Sequence, residues 1–480
     1  MSTPPASLWS EEPFVWAVES ARLSTRCSAC LSTSSSSSPL QRCVNCKQLH
    51  YCSRRCQTAD WAEHSTECRR LAALSTAQRR ALIDQQPDGF PDDTLRVVAR
   101  LVKKAGRTDF KDFESAGRKL SDLVTHTRET ATLARTADQF NEFLQLYALF
   151  VDKDAKALPF QRILLAYCQV KVNAFGIKDD RLQSVGIGLY LSLSRLQHSC
   201  RPNARIVFHG TRARLVRVDG QEGPLTTLAG LSHSYVDNWD ARPNRRRQLR
   251  DEYFFDCRCE GCEDEQWNER LTAFACQAEG APCAGLVPSS APDGPEVVEC
   301  RLCRRQLDEG ELQTARMASA MAVSVVESLG RVAAASQAAR ALEICSKAAA
   351  VADGVLHPAN VYRMRIHRAA FEACVRLGRW RDSLSYGEKA LECCRLLAEP
   401  GDPWLLMAEK NLALAAFRAR DDDHRPHDEH PSWAPQRIRR LMEEFSRLFG
   451  ASNSHDAELR RVLLAADDAD AAAVNDDTGE

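Results

Sequence analysis

Residues 7–18, SLWSEEPFVWAV, mix aromatic and β-branched residues and predict a strand entering a core. From Arg69 to about Leu158 the apolar residues recur at helical spacing, as in FNEFLQLYALFV (140–151), with DGFPDD (88–93) as a breaker. Segment 160–175, FQRILLAYCQVKVNAF, predicts a further helix packed on the core. Between 185 and 237 the pattern changes to short β-type runs, VGIGLYL, ARIVFHG and ARLVRV, separated by Gly and Pro, so small sheets are expected there. From about Leu312 the chain is rich in Ala, Leu, Arg and Glu, and 357–394 has a helix-turn-helix rhythm with LGRW at the turn. A shorter unit (403–418), a polar loop (420–433) and an acidic tail expected to be disordered (466–480) complete the pattern. The fold class is therefore α+β.

At 480 residues the chain has room for two to four domains. A net charge of −1 gives no global field toward nucleic acid or an anionic membrane. Apolar stretches are broken by charges well short of a membrane span, and no signal peptide opens the sequence. A soluble protein of the nucleus or cytoplasm is expected.

The 20 cysteines change the picture. Seven lie in 27–68, seven in 257–303, Cys200 stands apart, and Cys168, Cys345, Cys374, Cys393 and Cys394 lie in helical sequence as small apolar residues. Bunched at C-x2-C spacing, the first two groups read as zinc thiolates rather than disulfides. The first runs C27-x2-C30-x12-C43-x2-C46-x5-C52-x3-C56-x7-H64-x3-C68, eight ligands for two tetrahedral sites. A span this short buries little core, so metal should supply most of its folding energy. The run LSTSSSSSPL (31–40) reads as a flexible loop between ligand pairs. Cys257, Cys259 and Cys262 follow the aromatic triplet Tyr253, Phe254, Phe255 and lack a fourth ligand, for which Cys200 is the candidate. Such a metal would hold the triplet against the His198 loop. A further quartet, Cys276, Cys283, Cys300 and Cys303, is either a fourth zinc site or a loop of reduced, unliganded thiols.

The paired stretches LSLSRLQHSCRPN (191–203) and DEYFFDCRCEGC (251–262), with VNAFGI (172–177), VGIGLY (185–190), SYVD (234–237) and the cysteine module HYCSRRCQTADWAEH (50–64), resemble the SMYD (SET and MYND) family of protein-lysine methyltransferases. The resemblance implies a SET remnant at 7–26, a MYND zinc finger at 27–68 and a helical SET insert at 69–159. It further implies a split SET core at 160–256, a cysteine-rich post-SET region at 257–305 and a tetratricopeptide-like lobe at 306–465. Within the finger it implies Cys27, Cys30, Cys52 and Cys56 on one zinc, and Cys43, Cys46, His64 and Cys68 on the other. It also implies S-adenosylmethionine as cofactor, a protein substrate carrying the target lysine, proline-containing peptides docked at the MYND module, and a monomer.

By family position, Asn173, Ser194 and His198 are cofactor contacts, and Gln197 stands where the family has Asn. Phe175, Tyr235, Tyr253 and Phe255 are candidates for the lysine channel, with Tyr235 placing its hydroxyl by the transferred methyl. Methyl transfer is an in-line displacement that needs a neutral amine and excluded water, which apolar and aromatic walls supply. A plain core role for Phe175, Phe255 and Tyr235 is the alternative. FKDFESAGRKL (110–120) resembles a donor-contacting segment but puts Lys111 and Arg118 at the contact positions, so no contact carries over. The family's strand and Gly-Arg-Gly turn have no match in MSTPPA (1–6), from which weak donor binding is expected. The lost Gly-Glu-Glu-Leu turn and the added EGPLTT suggest a distorted loop before SYVD. The functional expectation is protein-lysine methylation. Its first rival is an inactive zinc-dependent adaptor, and its second a zinc-dependent nucleic-acid binder. The basic residues Arg42, Lys47, Arg54, Arg55, Arg69 and Arg70 read instead as a solvated finger surface.

Overall fold

The computed structural model describes residues 9–34, 39–73, 92–106, 114–115, 117–151, 158–218, 227–277, 283–289, 298–329, 337–399, 401–421, 435–450 and 453–464. In chain order the strands are β1 (Trp9–Glu11), β2 (Val15–Val18), β3 (Gln41–Arg42), β4 (His50–Tyr51), β5 (Glu114–Ser115), β6 (Arg118–Lys119) and β7 (Ala174–Lys178). They continue with β8 (Ser184–Leu189), β9 (Gln197–His198), β10 (Ala204–His209), β11 (Arg212–Arg217), β12 (Ser232–His233), β13 (Phe274–Ala275) and β14 (Leu286–Val287). Two antiparallel three-stranded sheets form, in the orders β1-β11-β10 and β2-β8-β7. The single strand expected over 7–18 is thus two strands feeding different sheets. Pro13, which has no N–H to give a ladder, sits at the break. Gly186 in β8 lies so close to β2 that a Cβ would meet Ala17 O at 2.5 Å, which explains glycine in the VGIGLY run.

The helix Asp93–Ala105 starts at Asp92, whose carboxylate accepts from Leu95 N at 2.6 Å. It packs against β2 and the helix Arg54–Ala73 that carries the last finger ligands. Arg96 and Arg100 on this helix are buried and reach three ways. Arg96 binds Glu67 at 2.8 Å and Val18 O at 2.6 Å, and Arg100 binds Asp60 at 3.0 Å, Glu67 at 2.9 Å and Trp16 O at 3.1 Å. Two buried cations and two buried anions thereby weld the cysteine finger to the sheet core. Burial alone would raise the Glu67 carboxyl, but Arg100 and Arg96 outweigh it and hold the group well below the usual range. The helix Phe160–Asn173 runs straight into β7, as expected for that segment.

Downstream, the helices Glu309–Leu329, Ala338–Ala352, Val361–Arg376, Trp380–Leu397, Pro403–Asp421 and Pro435–Phe449 pack largely on their sequence neighbours. The LGRW stretch is the turn between two of them, with Gly378 at φ +70°. Residues 1–8, the 35–38 part of the serine run, 74–91, Lys111, most of EGPLTT, most of the 420–433 loop and the tail 466–480 lie outside the described residues. Among the described residues no helix is long and apolar enough to cross a membrane.

Candidate active site and metal centres

Zinc held by thiolates at about 2.3 Å in a tetrahedron sets the sulfurs roughly 3.8 Å apart, far beyond a disulfide bond. The first cluster fits this. Cys30 and Cys52 lie 3.7 Å apart and Cys52 and Cys56 3.5 Å, with Cys27 in the same group. In the second, Cys43 and Cys68 are 3.6 Å apart and Cys46 is 3.7 Å from His64 Nε2. His64 Nδ1 faces Glu67 Oε1 at 3.4 Å, so the carboxylate fixes the ring with Nε2 toward the metal position. This grouping is the interleaved division named above.

At the third centre the chain brings five donors together. Cys200 Sγ lies 3.6 Å from Cys262 Sγ, and Cys200 N donates to Cys259 Sγ at 3.2 Å. Cys257 shares the cluster, and so does His198, whose Nε2 is 3.3 Å from Cys200 Sγ. His198 Nδ1 accepts from Tyr235 N at 3.1 Å, which leaves the ring proton of the neutral form on Nε2, pointing at the thiolate. The imidazole therefore ties the Tyr235 segment to the metal cluster. β9 and β12 pair in parallel here, with His198 opposite His233.

Beside this centre opens a cleft of about 820 Å³. Asn173, Phe175, Ser194, Gln197, His198, Tyr235, Tyr253 and Phe255 all line it. These eight come from four separate stretches of chain. Their rings form a cage: Tyr235 lies 4.9 Å from Tyr253, 5.2 Å from His198 and 4.8 Å from His233, while Phe175 lies 5.3 Å from His233. The Tyr235 hydroxyl donates to Leu196 O at 2.6 Å, so what remains to it is acceptor capacity. Burial pushes its proton affinity up. Burial, with Arg245 adding, brings His198 down to about 4; burial, with His198 adding, brings His233 to about 4. Both rings are neutral at pH 7, so the cage holds no imidazolium to repel a cation. Asn173 spends both amide hydrogens on Val124 O (2.7 Å) and Gln169 O (3.0 Å), leaving only its carbonyl for a ligand. Gln197 is exposed at the cleft, its amide 3.5 Å from Arg195 O.

Several lining groups escaped the sequence reading. His233 lies inside the SHSYVD stretch, and its alternation with Tyr235 was the available signal. Asn238 Oδ1 is buried at the cleft with no hydrogen-bond partner. Asp402, Trp404 and Phe449 arrive from the helical half, some two hundred residues away in sequence, and no local signal marks them. Glu11 in β1 accepts from Ser192 N (2.9 Å) and Leu193 N (3.0 Å), steadying the turn that carries Ser194. Arg118 Nη2 donates to Asp122 O, while its Nη1 is buried without a hydrogen-bond partner.

Comparison with known proteins reaches the same parts. The MYND finger family matches residues 27–68. SET domain-containing protein 14 of Caenorhabditis elegans is 27% identical over 423 residues, covering 86% of this chain and 89% of that protein. Human Histone-lysine N-methyltransferase SMYD3 is 26% identical over 405 residues, 82% of this chain and 79% of its own. Over most of its length the chain is thus similar to SMYD proteins. Bovine N-lysine methyltransferase SMYD2 is 24% identical over 367 residues, 74% of this chain and 71% of its own length. Its finger and its cysteine clusters support zinc binding, and the relatives it resembles include lysine methyltransferases.

Proposed function

We propose that the chain is an S-adenosylmethionine-dependent protein-lysine methyltransferase, built on a split SET core with a MYND finger, a post-SET zinc segment and a tetratricopeptide-like lobe. The observation that carries this is convergence: eight residues chosen by family position line one cleft. Three zinc ions belong to this reading, two in the finger and one at Cys200, Cys257, Cys259 and Cys262. The relatives' names, Histone-lysine N-methyltransferase SMYD3 and N-lysine methyltransferase SMYD2, supply the substrate class, a lysine on a protein.

The cleft chemistry fits the methyl donor. Its volume of about 820 Å³ is that of a cofactor-sized site. Aromatic faces with neutral histidines suit a sulfonium, and the unpartnered Asn238 Oδ1 is an acceptor for a ligand N–H or O–H. When bound, S-adenosylmethionine supplies a methyl group on positively charged sulfur. Phe175, Tyr235, Tyr253 and Phe255 strip water from an entering lysine and so favour its neutral, nucleophilic form. Tyr235, its proton engaged by Leu196 O, presents oxygen lone pairs to an electron-poor group. Further parts of the reading are a monomer of the nucleus or cytoplasm whose finger docks proline-containing peptides.

Calorimetric titration of the purified chain with S-adenosylmethionine tests the proposal, together with radiolabel transfer to histones as the protein probe. Saturable one-to-one binding is expected. Tyr235→Phe should lower turnover by roughly 10²-fold, the loss of one preorganised polar contact, and lower stability by only about 1 kcal/mol through the lost bond to Leu196 O. No donor binding at millimolar concentration would overturn the enzyme reading in favour of the adaptor.

A further inference from the structure

Beyond the third centre, the chain leaves the helix Glu265–Thr272, forms β13 and meets four more thiols. Cys276 Sγ lies 3.6 Å from Cys303 Sγ, and Cys283 Sγ lies 3.7 Å from Cys300 Sγ. All four sulfurs are within 4.8 Å of one another. These are the edges expected of a zinc tetrathiolate, roughly 3.8 Å, and not of two disulfides at about 2.05 Å.

The backbone around them is shaped for thiolates. Gly285 N donates to Cys283 Sγ at 3.3 Å, and Leu302 N donates to Cys300 Sγ at 3.4 Å. Each donor stands two residues after its cysteine, so both turns present the corresponding amide to their own sulfur. Such N–H groups stabilise negative sulfur. The two turns also press together where Gly285 sits. A Cβ on Gly285 would come within 2.7 Å of Leu302 Cβ and closer still to Cys300 Sγ. Only glycine lets the sulfurs meet.

Little else would fold this ribbon. β13 and β14 pair over two residues each, and among the described residues between Cys276 and Cys303 the buried apolar side chains beside the cysteines are Val287, Pro288 and Val298. So small a core gives little folding energy without a crosslink.

We propose that Cys276, Cys283, Cys300 and Cys303 form a fourth zinc site, a closed structural centre that pins the ribbon after the helix Glu265–Thr272 onto the helical half of the protein. Four protein thiolates complete the tetrahedron and leave no position for water or substrate. Zinc takes the place of the thiol protons, which pass to solvent. The finger family ends at Cys68, so this centre lies outside it.

The fastening is visible in what the ribbon grips. Ala275 N donates to Val355 O at 2.8 Å, His357 N to Ala273 O at 3.1 Å, and Asn360 Nδ2 to Ala273 O at 3.0 Å. Gln277 Nε2, next to Cys276, donates to Gly354 O at 2.7 Å. These bonds fix the connection between the helices Ala338–Ala352 and Val361–Arg376. On the other side Arg305, two residues past Cys303, pairs with Glu311 at 2.6 Å in the first turn of Glu309–Leu329. The metal thus holds both the first helix of the lobe and its second turn. The same lobe supplies Asp402 and Trp404 to the cleft.

Zinc binding here is independent of whether methyl transfer occurs, and the tests read metal directly. Native mass spectrometry of the full chain and of Cys303→Ser should show one zinc fewer in the variant, and Cys303→His should restore it. Amide exchange at 353–360 should quicken in Cys303→Ser and not in Cys345→Ser. Equal zinc content in the parent and Cys303→Ser would overturn the proposal. If the serine variant does not fold, the parent still decides. Cys303 is exposed, so a free thiol there would react readily with iodoacetamide. The expected result is protection in the native protein, without loss of mass to disulfide, and rapid labelling once a chelator is added. Labelling of native Cys303 at the rate of a free peptide cysteine, or a disulfide at this quartet, would overturn it.

Discussion

Glu67 is the residue on which the finger and the core both lean. It orients His64 and neutralises Arg96 and Arg100, all of them buried. Removing its charge takes a buried anion from both Arg96 and Arg100, and Asp60 stays beside Arg100. Glu67→Gln is therefore expected to cost about 3–5 kcal/mol in urea unfolding with zinc present. Glu12→Gln removes an equally short pair with Arg212, but both partners there are more than half exposed, so it should cost under about 1 kcal/mol. A second residue-scale prediction concerns His233. Its folded-state proton affinity is lowered from 6.5 to about 4, so the unfolded chain binds the proton more readily between those values. Stability should then fall as pH drops from 6.5 toward 4. His233→Phe should flatten that slope, measured by urea midpoints at pH 6.5 and pH 5. A parallel decline in both proteins would return His233 to a solvated, unperturbed role. Neither residue announced itself in the sequence. A Glu three places after a metal-ligand His is common on any helix, and what singles out Glu67 is a pair of arginines brought from another helix.

At the scale of elements, zinc ligation joins stretches that hydrogen bonding alone holds loosely. β9 and β12 pair over two residues each, and the His198 loop meets the segment after the helix Arg242–Tyr253 chiefly through Cys200 and its sulfur partners. Cys200→Ser should therefore destabilise the protein more than Cys345→Ser, which removes a buried thiol without metal partners. Thermal melting with and without chelator checks this, and the gap between the two variants should close once zinc is removed. The element pattern was legible where one physical demand dominated a short window. Helical spacing marked Ala134–Phe150 and Phe160–Asn173 because each buries one face. Pairing was not legible. The division of the 7–18 run between two sheets depends on partners two hundred residues away in one case.

For the whole molecule, the cleft is closed by charges reaching between its two halves. Arg205 binds Asp402 at 3.1 Å and Gly401 O at 3.2 Å, and Arg365 binds Asp237 at 2.8 Å. Asp402→Asn keeps the shape and weakens a charge-assisted bond by about 1–3 kcal/mol, so amide exchange over 401–406 should quicken while the finger's exchange stays unchanged. By itself the sequence determined the metal centres of the finger, because eight ligands at fixed spacing satisfy a local coordination demand that few other purposes meet. Counting ligands also joined Cys200 to Cys257, Cys259 and Cys262 across more than fifty residues, since three thiolates leave a tetrahedron incomplete. The tertiary structure alone decided which rings face the cleft, that His198 turns its second nitrogen to a thiolate, and that Asp402, Trp404 and Phe449 form the far wall. The reason is physical: periodicity reports that a face is buried, but the partner that buries it is chosen by packing between segments that share no local pattern.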